Sequence, residues 1–176
     1  MIEIILGVIV TISFILFLYV LYNNKFQLTI IKIEKAEEDI DMYLQKKMDL
    51  LERTRPIVKK ELKKNDFMED LAFSFDEKNN FECHLILKKV YNELFKIIDE
   101  NEKLLKSDAL LSILDDLNTN EENIVGAIKF YNDTVVEFNQ LVVSFPSKLV
   151  ALIRRYHKKD FYNNEKREIF EILNQK

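Results

Sequence analysis

At 176 residues the chain has room for one domain with a short attachment, and a separate second domain would be cramped. Two glycines and two prolines are too few for the turns of a sheet protein, and 48% hydrophobic with 32% charged residues calls for few, long amphipathic helices. The net charge of −4 hides a net of −9 over residues 66–122, which argues against a nucleic-acid surface over the whole domain, between basic flanks of +3 each over 23–65 and 154–176.

The basic flanks either pair with the acidic middle across a bundle or face anionic lipid. A lone cysteine, Cys83, forms no intramolecular disulfide and fits a reducing compartment.

Ile4 to Tyr22 is a run of 19 residues without a charge. As a helix it would be about 28 Å long, close to a bilayer core of about 30 Å. Tyr19 and Tyr22 lie where an interfacial aromatic belt would be, and Thr11 and Ser13 bond back to the preceding turn. A signal peptide would want a basic start and a small-residue cleavage site, but the run is preceded by Met1-Ile2-Glu3 and followed by Asn23-Asn24-Lys25. A core helix would not stay apolar on all faces for five turns. Residues 1–22 are therefore expected to be a transmembrane anchor, with the lipid bilayer as partner of residues 4–22. Lys25, Lys32 and Lys35 follow the span and no basic residue precedes it, so the N-terminus is expected outside and the remainder in the cytoplasm.

Behind the anchor, residues 23–176 read as a helical bundle with a basic C-terminal tail. Ile30, Ile33, Ile40, Leu44, Leu51, Val58 and Leu62 recur at spacings of three, four or seven and mark one face of a first long helix that continues the span. Pro56 is expected to kink or break it near residues 53–55, and a turn falls somewhere in 65–80. A second helix spans Phe81 to about Lys106 on Leu85, Leu87, Val90, Leu94, Ile97, Ile98 and Leu105. Ser107 or Asp108 caps a third, which runs to about Ser144 through Leu111, Leu114, Leu117, Ile124, Ile128, Tyr131, Val135, Phe138 and Val142. Asn118-Thr119-Asn120 is a weak spot in it, where Thr119 and Glu122 would make a capping box if it split. Pro146 stops the third helix, and Ser147 to about Arg155 forms a short fourth. The fold class is all-α: one N-terminal transmembrane helix, then an antiparallel up-and-down bundle of three long helices plus a short C-terminal helix.

The stretch FYNDTVVEFNQLVVSFPSKLV, residues 130–150, resembles the end of the last long helix of the LemA family. Residues 33–51 and 100–124 are similar to segments that follow the anchor and lead into that motif. The resemblance implies a single-pass bacterial membrane protein with a helical soluble part, and it carries over no catalytic residue. The chain departs from the family at Glu52-Arg53, in the 65–80 connection, and after Ala151, where Arg154-Arg155-Tyr156-His157-Lys158-Lys159 stands. Phe130, Phe138 and Phe145 step by eight and seven along one side of the helix, with Tyr131 and Asp133 beside them. Asn132 and Asn139 are seven apart, as a pair fixing register between helices would be. Pro146 ends the helix and Ser147 would cap the next. Phe130, Tyr131, Asn132, Asp133, Phe138, Asn139, Phe145, Pro146 and Ser147 thus form a packing-and-termination motif, with a partner-binding surface as the second reading.

Chemistry is sparse. Glu82-Cys83-His84 are adjacent on a helix and point about 100° apart, a poor metal set; His157 has no carboxylate partner in view, and two glycines make no phosphate loop. Arg154, Arg155, Lys158 and Lys159 are candidates for lipid headgroups, against a solvated helix end. No catalytic, cofactor or metal residue is expected, and the reading is a membrane-anchored, non-enzymatic interaction or scaffold module for an unidentified protein partner. The rival is a membrane-tethered hydrolase or metalloenzyme using Glu82, His84 or His157.

Overall fold

The computed structural model describes residues 1–62 and 80–162. Within these the chain is helical: α1 (Ile2–Leu62), α2 (Asn80–Asp99), a single 3-10 turn (Leu104–Lys106), α3 (Asp108–Val143) and α4 (Ser147–Arg154). No strand occurs among the described residues. The helices fall into two compact units, residues 1–36 with 130–162, and residues 37–62 with 80–129.

Buried positions on α1 run Phe26, Thr29, Ile33, Ala36, Ile40, Leu44, Lys47, Leu51, Thr54 and Val58. These steps of three and four keep one stripe facing its neighbours. The expected face is there, with Leu62 at the edge of the described residues and three polar members, Thr29, Lys47 and Thr54, that hydrophobicity alone does not select. Pro56 does not break α1. It withdraws one donor from the carbonyl of Glu52, an exposed residue that water serves, while buried Leu51, Thr54 and Val58 hold the turn from the other face. Asn23-Asn24 likewise lie inside the continuous helix.

One boundary differs from expectation. The second helix ends at Asp99 rather than near Lys106, because Asn101 turns its amide onto the carbonyl of Ile97 at 2.8 Å and its own N–H onto Ile98, closing the helix in a turn. Leu85, Leu105 and Leu111, expected inside, are exposed. The third helix opens as expected at Ser107, whose Oγ accepts from the Leu110 N–H at 3.4 Å. It then runs unbroken through Asn118-Thr119-Asn120. The expected connection within 65–80 and the tail beyond residue 162 lie outside the described residues.

The unit holding residues 130–162 has a core of Phe26, Ile33, Val135, Phe138, Leu141, Val150 and Ala151. α4 turns 92° away from α3 and lays Val150 and Ala151 on that core. The other unit packs α1 residues 37–62, α2 and α3 residues 108–129 around Ile40, Leu44, Leu51, Leu87, Val90, Leu94, Leu117 and Ile124.

Candidate functional site

α4 ends in a left-handed cap. Arg155 adopts φ 57°, and the N–H of Tyr156 returns to the Ala151 carbonyl at 2.9 Å. That reversal drops the Tyr156 ring onto Phe26 (centroids 4.9 Å apart) and Phe138 (6.0 Å), while Phe26 and Phe138 meet edge to face at 5.7 Å. Gln27 Nε2 donates to the Tyr156 hydroxyl at 2.7 Å, so the three rings close around a satisfied polar tip.

From Tyr156 to Phe161 the chain has no regular structure, and its backbone groups must find partners elsewhere. The motif on α3 supplies them. Asn139 pairs with Lys159 twice, its Nδ2 donating to the carbonyl at 2.9 Å and its Oδ1 accepting from the N–H at 2.8 Å. Two helical turns earlier, Asn132 Oδ1 accepts from the Tyr162 N–H at 2.9 Å, and the Tyr131 hydroxyl donates to the Asp160 carbonyl at 3.3 Å. An amide side chain suits this work because it offers a donor and an acceptor side by side, as a neighbouring strand would.

Asn132 and Asn139 therefore dock the segment after α4 rather than fix register between helices. Asn139→Ala should speed hydrogen exchange at the Lys159 amide by about tenfold or more, the equivalent of about 1.4 kcal/mol, while amides inside α3 keep their protection. Mass-spectrometric exchange on the full chain reads this.

The rest of the motif divides by burial. Phe138 is 2% exposed, whereas Phe130 is 48% and Phe145 82% exposed, so the three rings do not share one packed side. Asp133 is exposed too. Pro146 is the N-cap of α4, and Ser147 does not cap it: its buried hydroxyl donates back to the Ser144 carbonyl at 2.8 Å. Arg154, Arg155 and Lys158 are exposed, and Lys159 is half-buried by the grip on its backbone.

The three-helix unit contains a polar cluster that sequence reasoning missed. Lys47 of α1 has a side chain only 1% exposed and forms an ion pair with Glu121 of α3. Its ammonium also lies over the Tyr91 ring of α2, 4.8 Å from the centroid, and the Tyr91 hydroxyl donates to Asn118 Oδ1 at 2.9 Å. Burial lowers the Lys47 pKa against the opposing pull of Glu121, and burial raises that of Tyr91.

Beside them Asn120, fully buried, donates from Nδ2 to the carbonyl of Tyr43 at 2.9 Å. This α3-to-α1 bond fixes register in the way expected of Asn132 and Asn139. The signal was present: Lys47 and Asn120 both sit at stripe positions, three residues beyond Leu44 and Leu117.

His84 of α2 borders the cluster. Burial lowers its pKa below 6.5, Lys47 and Lys88 push the same way, and Glu121 opposes. A base whose folded pKa is depressed binds fewer protons folded than unfolded, so stability is full above pH 6.5 and falls as acid is added through the folded pKa. Urea unfolding followed against pH should show that acid limb, and His84→Gln should flatten it.

The described residues contain no group of three His, Cys, Asp or Glu side chains able to hold a metal. Cys83 is buried, His84 belongs to the three-helix unit and exposed His157 to the other, and the Glu82 side chain lies outside the described residues. Among the polar groups that do converge, Lys47 pairs with Glu121, Tyr91 with Asn118, and Asn120 with the Tyr43 carbonyl across helices. Comparison with curated proteins finds none that matches this chain. The model of the LemA family matches residues 36–172, a span that takes in the Lys47 cluster and the whole clamp from Phe130 to Tyr162, and the chain belongs to the LemA family.

Proposed function

We propose that the chain is a single-pass membrane protein whose helical bundle is a non-enzymatic interaction or scaffold module. The observation that carries this is the start of α1. Ile4, Phe14 and Phe17 are 72%, 60% and 62% exposed, and every residue up to Phe17 is exposed. A helix with a bare apolar surface all round is costly in water and suited to hydrocarbon. Residues 4–22 have the length for it, and α1 continues without interruption into the bundle.

The polar pairs Lys47–Glu121, Asn120–Tyr43 and Tyr91–Asn118 are spent on joining helices, which favours a scaffold over a reaction centre. Lys25, Lys32 and Lys35, which follow the span, support a bundle on the cytoplasmic side with the N-terminus outside. A protein partner binds the exposed helix faces, and Arg154, Arg155 and Lys158 meet lipid headgroups.

The full chain should stay with membranes through alkaline carbonate extraction, and a chain lacking residues 1–22 should be released. Release of the full chain would sink the reading. Cys83 is 4% exposed and a poor reporter of sidedness. An exposed Val125→Cys should instead resist an impermeant thiol reagent in intact cells and react once they are opened. Crosslinking in the native membrane identifies the partner.

A further inference from the structure

We infer that α4, with Phe145 ahead of it, is a second membrane contact: an interfacial helix resting in the outer part of the hydrocarbon beside the span. The inference rests on the anchor reading and adds a second lipid-embedded element to it.

α4 is apolar on two faces. Val150 and Ala151 turn inward to the Phe26–Phe138 core, while Leu149, Leu152 and Ile153 turn outward at 53%, 65% and 66% exposure, next to Phe145. One face has a partner, and the other has none among the described residues. What covers the outer face follows from where α4 packs. A groove of about 280 Å³ lies between it and α1, lined by Phe14, Ile15 and Leu18 on one wall and by Phe145, Leu149 and Ile153 on the other. Phe14 is eight residues before Tyr22, about 12 Å further along the span toward the bilayer centre. A helix whose outer side chains share a groove with that stretch shares its solvent.

The direction of α4 fits. It is turned 92° from α3, as a helix lying in the membrane plane beside upright helices would be. Several of its end groups are served by the chain itself, which lowers the cost of setting it against hydrocarbon. Ser144 and Pro146 carbonyls take the N–H groups of Lys148 and Leu149, and the Ala151 and Leu152 carbonyls are taken by Tyr156 and Arg155. Exposed Lys148, Arg154, Arg155 and Lys158 flank the apolar face, where long basic side chains reach out to headgroup phosphates.

The chain has no tryptophan, so single insertions report cleanly. Full-length Leu152→Trp, Phe17→Trp and Val125→Trp are reconstituted into vesicles of mixed zwitterionic and anionic phospholipid with brominated acyl chains. Bromine should quench Leu152→Trp to an extent comparable with Phe17→Trp in the span, and should leave Val125→Trp bright. Quenching of Phe17→Trp with Leu152→Trp as bright as Val125→Trp would overturn the inference and keep the anchor, and a blue-shifted but unquenched Leu152→Trp would assign the face to a protein. An unquenched Phe17→Trp would remove the anchor reading and this one with it.

Discussion

Glu121→Gln is expected to destabilise the three-helix unit by about 3–5 kcal/mol, because it strands the Lys47 ammonium in the interior without a counter-charge. The two partners are not equivalent. The Lys47 side chain is 1% exposed, whereas that of Glu121 is 29% exposed and has a route to water. Lys47→Met should therefore cost much less than Glu121→Gln. The double variant Lys47→Met/Glu121→Leu, which replaces ions by apolar groups, should regain or exceed the original stability.

For a chain of this size a loss of 3–5 kcal/mol corresponds to a fall in Tm of about 10 °C. Thermal unfolding in detergent reads all three variants. Alkali should restore part of the loss, since folded Lys47 gives up its proton below 10.5, where the unfolded side chain still holds it. A Glu121→Gln protein within about 0.5 kcal/mol of the parent would show that the pair bears no stability.

The second large effect belongs to Phe138→Ala. Its ring is wedged between Phe26 and Tyr156 and is 2% exposed, so truncation leaves a cavity costing about 3–5 kcal/mol. The damage should spread along the chain, because Tyr156 loses a ring that seats it and Tyr156 begins the segment clasped by Asn139 and Asn132. Hydrogen exchange should rise at the Lys159 and Tyr162 amides as well as in α3. Phe145→Ala is the contrast: that ring is 82% exposed, and its removal should change stability by less than about 0.5 kcal/mol. Equal losses from the two phenylalanines would contradict the burial of one and the exposure of the other.

Phe138 and Phe145 also show what a linear motif conceals. Both are Phe residues, seven apart, and by helical spacing they belong to one side. The helix ends at Val143, however, so Phe145 is no longer on α3, and the turn before α4 carries its ring outward. The same holds for the asparagines. Their separation by seven put them on a common face, and that was right. What the face meets is the returning chain at Lys159 and Tyr162, set by a left-handed residue at Arg155 that nothing in the side-chain chemistry of arginine announces. Pro56 errs the other way: a strong local breaker is overridden by buried neighbours on the opposite side of its turn.

The order of amino acids by itself determined the apolar first helix, the helical class, most of the stripe on each long helix and the family. Each of these is a local or periodic property, readable from residues within a few turns of one another. Only the tertiary structure decided that Lys47 is buried against Glu121, that Asn120 rather than Asn132 or Asn139 joins helices, and that the motif grips a segment 20 to 30 residues further on. Those pairings join residues 20 to 77 positions apart, and periodicity says which way a side chain points but not what will be there to meet it.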